Sequence, residues 1–253
     1  MKKIVLILIV FANILYAAEI VNINQAVNLA GKQRMYTQRM LKDYAMVGMN
    51  NTFGNPSEDL NQTIADFEDH LDLLIAFNQD NQTSKALQQV SKKWKETKKN
   101  LTIKPKKENA EKLQLMLDEV LKLADDVTKA FAKQSDKQSG EIINISGRQR
   151  MLSQRMAGLY MLQVWGVEDP QFRQKLDNAM KLFKESLEML EKYEANTKEI
   201  NELLAKVRRS FRFFEIMNKS ANRFVPTLIY KKSNDILRDM NDITVKYTEL
   251  KTK

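Results

Sequence analysis

The 253-residue chain carries 41 lysines and arginines against 32 aspartates and glutamates, a net charge of +9, with no cysteine, one histidine, 7 glycines and 4 prolines. The absence of cysteine excludes disulfides, thiolate metal sites and covalent haem attachment through paired thiols. The scarcity of glycine and proline, together with long polar–apolar periods, points to an all-α fold.

Lys2 and Lys3 precede an apolar run, Ile4–Ile14, which ends in Tyr16-Ala17-Ala18-Glu19. This reads as a secretory signal peptide over residues 1–18 and implies export to the periplasm. Leu15 and Tyr16 are large for a cleavage site, so an uncleaved anchor is the competing reading. Removing the two lysines leaves a net charge of about +7. The spacing then predicts helices over 22–50, 57–78, 82–100 and 107–136. Breaks fall at Asn50–Pro56, Asn78–Thr83 and Thr102–Lys107. A second set follows over 139–166, 169–195, 197–220 and 225–251, with Asp169 as an N-cap, Pro170 where a helix can begin, and Pro226 in the first turn of the last helix.

The chain repeats itself. Residues 28–40 read NLAGKQRMYTQRM and residues 144–156 read NISGRQRMLSQRM, an offset of 116. The same offset pairs Phe67 with Phe183, Leu71 with Leu187, Asp126–Val127 with Asp242–Ile243 and Phe131 with Tyr247, and it drifts by one at Trp94 and Phe211. The chain therefore divides into 19–137 and 138–253, each large enough for its own core. Four helices with short connections give two tandem up-down four-helix bundles. Two arrangements are open. The bundles can be joined by a continuous helix into a rod, or folded side by side by a hinge at Gly140. A single glycine breaks a helix weakly, which leans to the rod.

In the repeated block, Val27, Gly31, Arg34, Gln38, Leu41 and Ala45 fall on one helical seam, as do Ile143, Gly147, Arg150, Gln154, Ala157 and Met161. Gly31 and Gly147 let another helix approach closely. Arg34 and Arg150 then point into the contact, with Gln38 and Gln154 one turn away. A guanidinium facing an apolar interface cannot shed its charge, so its counter-charge must come from another helix or from a small anion. A planar fork suits a planar oxyanion. Arg39 and Arg155 lie about 140° further round the helix, where they shape the field or pair with bundle carboxylates. The bland reading is that these arginines reach solvent or bridge to neighbours such as Asp43 and Glu68. Met35, Met40, Met151 and Met156 read as packing. His70, alone in DFEDHLDLL, reads as a boundary residue. No catalytic constellation, cofactor motif or metal-ligand set is present. The lysines around Trp94 read as solvated surface, and the export signal argues against a nucleic-acid partner.

The segments AGKQRMYTQRM (30–40) and SGRQRMLSQRM (146–156) resemble the signature helix of PilJ-type sensory domains of type IV pilus chemoreceptors. They are also similar to the periplasmic input motif of NarX-like nitrate and nitrite sensor kinases. The resemblance implies four-helix bundles that pair through their first helices around an anion, a role that falls on Arg34 and Arg150, with Arg39 and Arg155 supporting. Gln33 and Gln149 stand where the nitrate sensors carry an apolar residue, which brings the chain closer to the PilJ branch. With no second long apolar run, HAMP-like region or kinase output in the sequence, signalling requires a membrane-bound sensor or receptor partner. Side by side, the two bundles would oppose Arg34 and Arg150 within one chain; as rods, two chains would be needed, which makes a homodimer an open expectation. The leading functional expectation is a soluble periplasmic sensory module for a small anion, nitrate or nitrite. The alternatives are a ligand-free interaction module linked to a pilus, chemosensory or respiratory system, and a binder of a larger organic solute.

Overall fold

The computed structural model describes residues 19–219 and 225–250; the expected signal peptide lies outside them. Eight helices follow in order: α1 (Ile23–Gly48), α2 (Pro56–Phe77), α3 (Asn81–Leu101), α4 (Lys107–Gln134), α5 (Lys137–Val164), α6 (Phe172–Glu191), α7 (Lys198–Lys219) and α8 (Pro226–Glu249). No described helix is long and apolar enough to cross a membrane.

Helices α1–α4 form one bundle and α5–α8 the other. The duplication is visible in the packing. Phe67 stacks on Trp94 with centroids 4.2 Å apart, and Phe183 on Phe211 at 4.5 Å. Gln33 Nε2 donates to the Phe67 carbonyl at 3.0 Å, and Gln149 Nε2 to the Phe183 carbonyl at 2.9 Å. In each copy a tyrosine hydroxyl accepts from the backbone where the fourth helix is entered: Tyr44 from Lys106, Tyr160 from Val225.

Of the two arrangements left open by the sequence, the bundles adopt the side-by-side one and not the rod to which it leaned. Helix α4 ends at Gln134 and α5 begins at Lys137, with Asp136 capping it through Ser139 N at 3.1 Å. The chain therefore reverses at Ser135–Asp136. Ser135 Oγ pins that turn to the start of α1 by donating to Asn24 Oδ1 at 2.6 Å. Gly140 is not the hinge. It lies three residues inside α5, where a Cβ would come within 2.5 Å of the Ala132 carbonyl oxygen, so it permits the tight approach of α4 to α5. The N-terminus of α6 also differs: Asp169 binds Gln171 N and Lys175 in the preceding turn, and the helix starts at Phe172. Pro226 opens α8 as expected, its missing N–H being one the first turn leaves unpaired.

The most extensive interface joins α1 to α5, and α4 also touches both. Because α1 packs on its own bundle with one face and on α5 with the other, polar residues on both sides of it are buried: Gln33, Arg34, Gln38, Lys42 and Asp43 are all inside. The pair is parallel and in the register of the repeat. Gly31 faces Gly147 near one end and Gly48 faces Trp165 near the other.

Candidate functional site

Where α1 and α5 cross, the two glycines are the contact. A Cβ on Gly31 would stand 3.9 Å from Gly147 Cα, 3.2 Å from Arg150 Nη2 and 3.4 Å from Arg34 Nη2, and a Cβ on Gly147 would meet the same set in reverse. The glycines make room for two guanidinium groups at the seam. Both arginines are fully buried (0 % exposed). Each reaches across the interface in a reciprocal, near-twofold pattern: Arg34 Nη2 donates to the Asn144 carbonyl at 3.2 Å, and Arg150 Nη2 to the Asn28 carbonyl at 3.1 Å.

The symmetry stops at the next partner. Arg34 Nη1 binds Asp125 Oδ1 on α4 at 2.5 Å. The position 116 residues later is Asn241, and Arg150 Nη1 binds its Oδ1 at 3.1 Å. Among the described residues no carboxylate pairs with Arg150. Burial, and then the neighbouring Arg34 charge, pull the Arg150 guanidinium down to about 9. Burial also lowers Arg34, with Asp125 opposing. Burial pushes the Asp125 carboxyl up, but Arg34 and Lys129 outweigh it and hold it below the usual carboxylate range. The Nε atoms of both arginines are buried without a partner, as are Asn28 Oδ1 and Asn144 Oδ1. A cleft of about 400 Å³ nearby is lined by Lys129, Ala132, Lys133, Ser135, Glu141 and Asn144 but by neither arginine; its Lys129 holds Asp125 Oδ2 at 2.6 Å.

The remaining residues of the block are placed differently. Gln33 and Gln149 fasten α1 and α5 to the second helix of their own bundles. Gln38 donates to Asp118 at 3.2 Å and accepts from Arg155 Nη1 at 3.2 Å; Arg155 completes the triad with Asp118 at 2.6 Å. In the mirror position Asp118 becomes Asn234, and the cation there is not Arg39 but Lys42. Lys42 Nζ is fully buried, donates to Gln154 Oε1 and Asn234 Oδ1 at 2.9 Å each, and lies 4.2 Å from the centre of the Tyr230 ring. Arg39 turns instead to Asp59 at 2.5 Å, with Asp43 at 3.9 Å. Gln38 and Gln154 are thus engaged with α4, α8 and cross-bundle cations rather than directed at the arginine pair. His70 is a boundary residue whose Nδ1 lies 3.1 Å from Tyr36 OH, and burial, then Lys32, holds its imidazole down to about 4.

Asp125, Asn241, Lys42 and Asp118 were not singled out from sequence. The signal was available in the repeat itself. At the 116-residue offset, Asp125 aligns with Asn241, Asp118 with Asn234 and Lys42 with Gly158, so charge differences between the copies fall at the seam as well as elsewhere.

A family model described as "PilJ: Type IV pili methyl-accepting chemotaxis transducer N-term" matches the chain twice, over residues 17–122 and 131–224. No curated protein and no solved structure matches it.

Proposed function

The chain belongs to the PilJ family of type IV pili chemotaxis-transducer N-terminal domains, in two tandem copies, and from that premise we propose that it is a periplasmic sensory module whose two copies hold one small anion at the α1–α5 seam. The observation that carries this reading is Arg150: a fully buried guanidinium, facing a second one, with no carboxylate partner among the described residues. An isolated buried charge is costly, and two converging forks lined by close-approach glycines suit a planar oxyanion such as nitrate or nitrite. Bound anion would change the repulsion between Arg34 and Arg150, and so the fit of α1 on α5. A membrane-bound receptor that contacts either bundle would read that change.

The test is calorimetric titration of the purified protein with nitrate and nitrite, with chloride and sulfate alongside. Saturable binding that disappears in Arg150→Ala is the expected result. The absence of binding by any of the four anions would refute the reading and leave the seam as a structural contact, with the chain acting through a protein partner alone.

A further inference from the structure

The two halves of the arginine site are not equivalent, and the difference is one charge. On the Arg34 side, Asp125 places a carboxylate oxygen on the guanidinium at 2.5 Å, and its second oxygen is held by Lys129 at 2.6 Å. Lys129 is half in solvent, so water and salt screen its charge. On the Arg150 side the equivalent residue is Asn241, which satisfies Nη1 without neutralising it. Among the described residues, the arginine site therefore holds two guanidinium groups and one directly bonded carboxylate, an excess of one positive charge.

Resting on the anion-sensing reading above, we infer that the site takes a single monovalent anion, held on the Arg150 side, and that Asp125 and Asn241 set this selectivity. Asp125 is a resident anion that occupies one arginine, and a second ligand there would have to displace it. Asn241 leaves the other arginine unneutralised and sets a neutral amide where a carboxylate would repel the ligand. A divalent oxyanion would overshoot, leaving a net negative charge between two fully buried side chains. Neither residue need touch the anion; both act through the arginine they bind, as positioning residues.

The experiment is titration of wild type, Asn241→Asp and Asp125→Asn with nitrate and with sulfate, together with the thermal midpoint of each variant without ligand. The wild type is expected to bind one nitrate per chain and no sulfate. N241D, with both arginines neutralised internally, should lose nitrate affinity at least tenfold while melting at or above wild type, which separates lost charge from lost fold. D125N should bind sulfate, or a second nitrate, at concentrations where wild type binds neither. Nitrate binding in N241D equal to wild type, or an unchanged ranking of the two anions in D125N, would overturn the inference while leaving anion sensing intact. No binding by wild type would remove both.

Discussion

Replacing Arg150 by methionine tests whether its charge is a burden in the ligand-free protein. A guanidinium pulled from its ordinary range to about 9 is held charged at a cost of up to about 5 kcal/mol. Arginine does not give up its proton at neutral pH, so the cost falls on stability. Methionine fills similar length without charge. The substitution strips a donor from Asn241 Oδ1 and from the Asn28 carbonyl, at about 1 kcal/mol each, and a few tenths more go to imperfect packing. The expected net is a gain of about 2 kcal/mol, or a rise in midpoint of roughly 4–8 °C for a protein of this size. The assay is thermal unfolding followed by circular dichroism at pH 7, in a buffer whose only anion is large and organic. Nitrate should then raise the wild-type midpoint and leave Arg150→Met unmoved. Arg34→Met should show no comparable gain, because it takes away the partner of Asp125. If Arg150→Met melts below wild type in the anion-free buffer, the argument from the unneutralised charge fails.

Other consequences are as concrete. Lys42 and Asp43 are both fully buried, with Lys42 Nζ 3.4 Å from Asp43 Oδ1, so Lys42→Met, which removes that charge and strips Gln154 and Asn234 of a donor, should cost about 3–5 kcal/mol, whereas Lys42→Met with Asp43→Leu together should recover part of the loss; a double variant as unstable as Lys42→Met alone would contradict this. Burial pushes the Asp43 carboxyl up to about 7 against the pull of Lys42. The folded state thus keeps a proton that the unfolded chain releases near pH 4. This group's contribution is fully present below about pH 4, is lost as the pH climbs to about 7, and stays lost above. Wild type should accordingly lose stability relative to Asp43→Asn between about pH 4 and 7, and parallel profiles would refute it. At Gly158 a Cβ would meet only ordinary contacts at 3.5 Å, so Gly158→Ala should gain up to about 1 kcal/mol in urea unfolding. Gly48→Ala, whose Cβ would fall 2.1 Å from Trp165 Cζ2, should lose about 1–3 kcal/mol. Gln149→Ala should cost about 1–2 kcal/mol of stability by freeing the buried Phe183 carbonyl, with anion affinity unchanged; a loss of affinity would put Gln149 at the site.

The helices and the duplication were legible because they rest on local information. Apolar spacing, Asn50–Pro56, Pro105 and Pro226 marked ends to within a few residues, and the 116-residue register survived into matched contacts of Gln33 and Gln149. The glycine–arginine spacing of the block also predicted a close helix contact, and Gly31, Arg34, Gly147 and Arg150 lie where α1 meets α5. The side-by-side packing was not legible. It is set by a two-residue break at Ser135–Asp136 and by the Ser135–Asn24 bond, neither of which has a periodic signature. Partner choice was equally hidden. Lys42 rather than Arg39 holds Gln154 and Asn234, and Arg39 pairs with Asp59, a choice among partners on helices far apart in sequence.

The turn at Ser135–Asp136 joins what would otherwise be two separate partners. Association through the α1–α5 face is therefore intramolecular, and dilution does not dissolve it. In a symmetric pair of identical chains every substitution at such a face appears twice, so an aspartate beside one arginine would stand beside both. Within one chain each half drifts by itself: Asp125 without its mirror image, Lys42 against the bare backbone of Gly158. Covalent linkage gave this face the freedom of a heterodimer, and with it the ability to hold a different charge on each side of one axis.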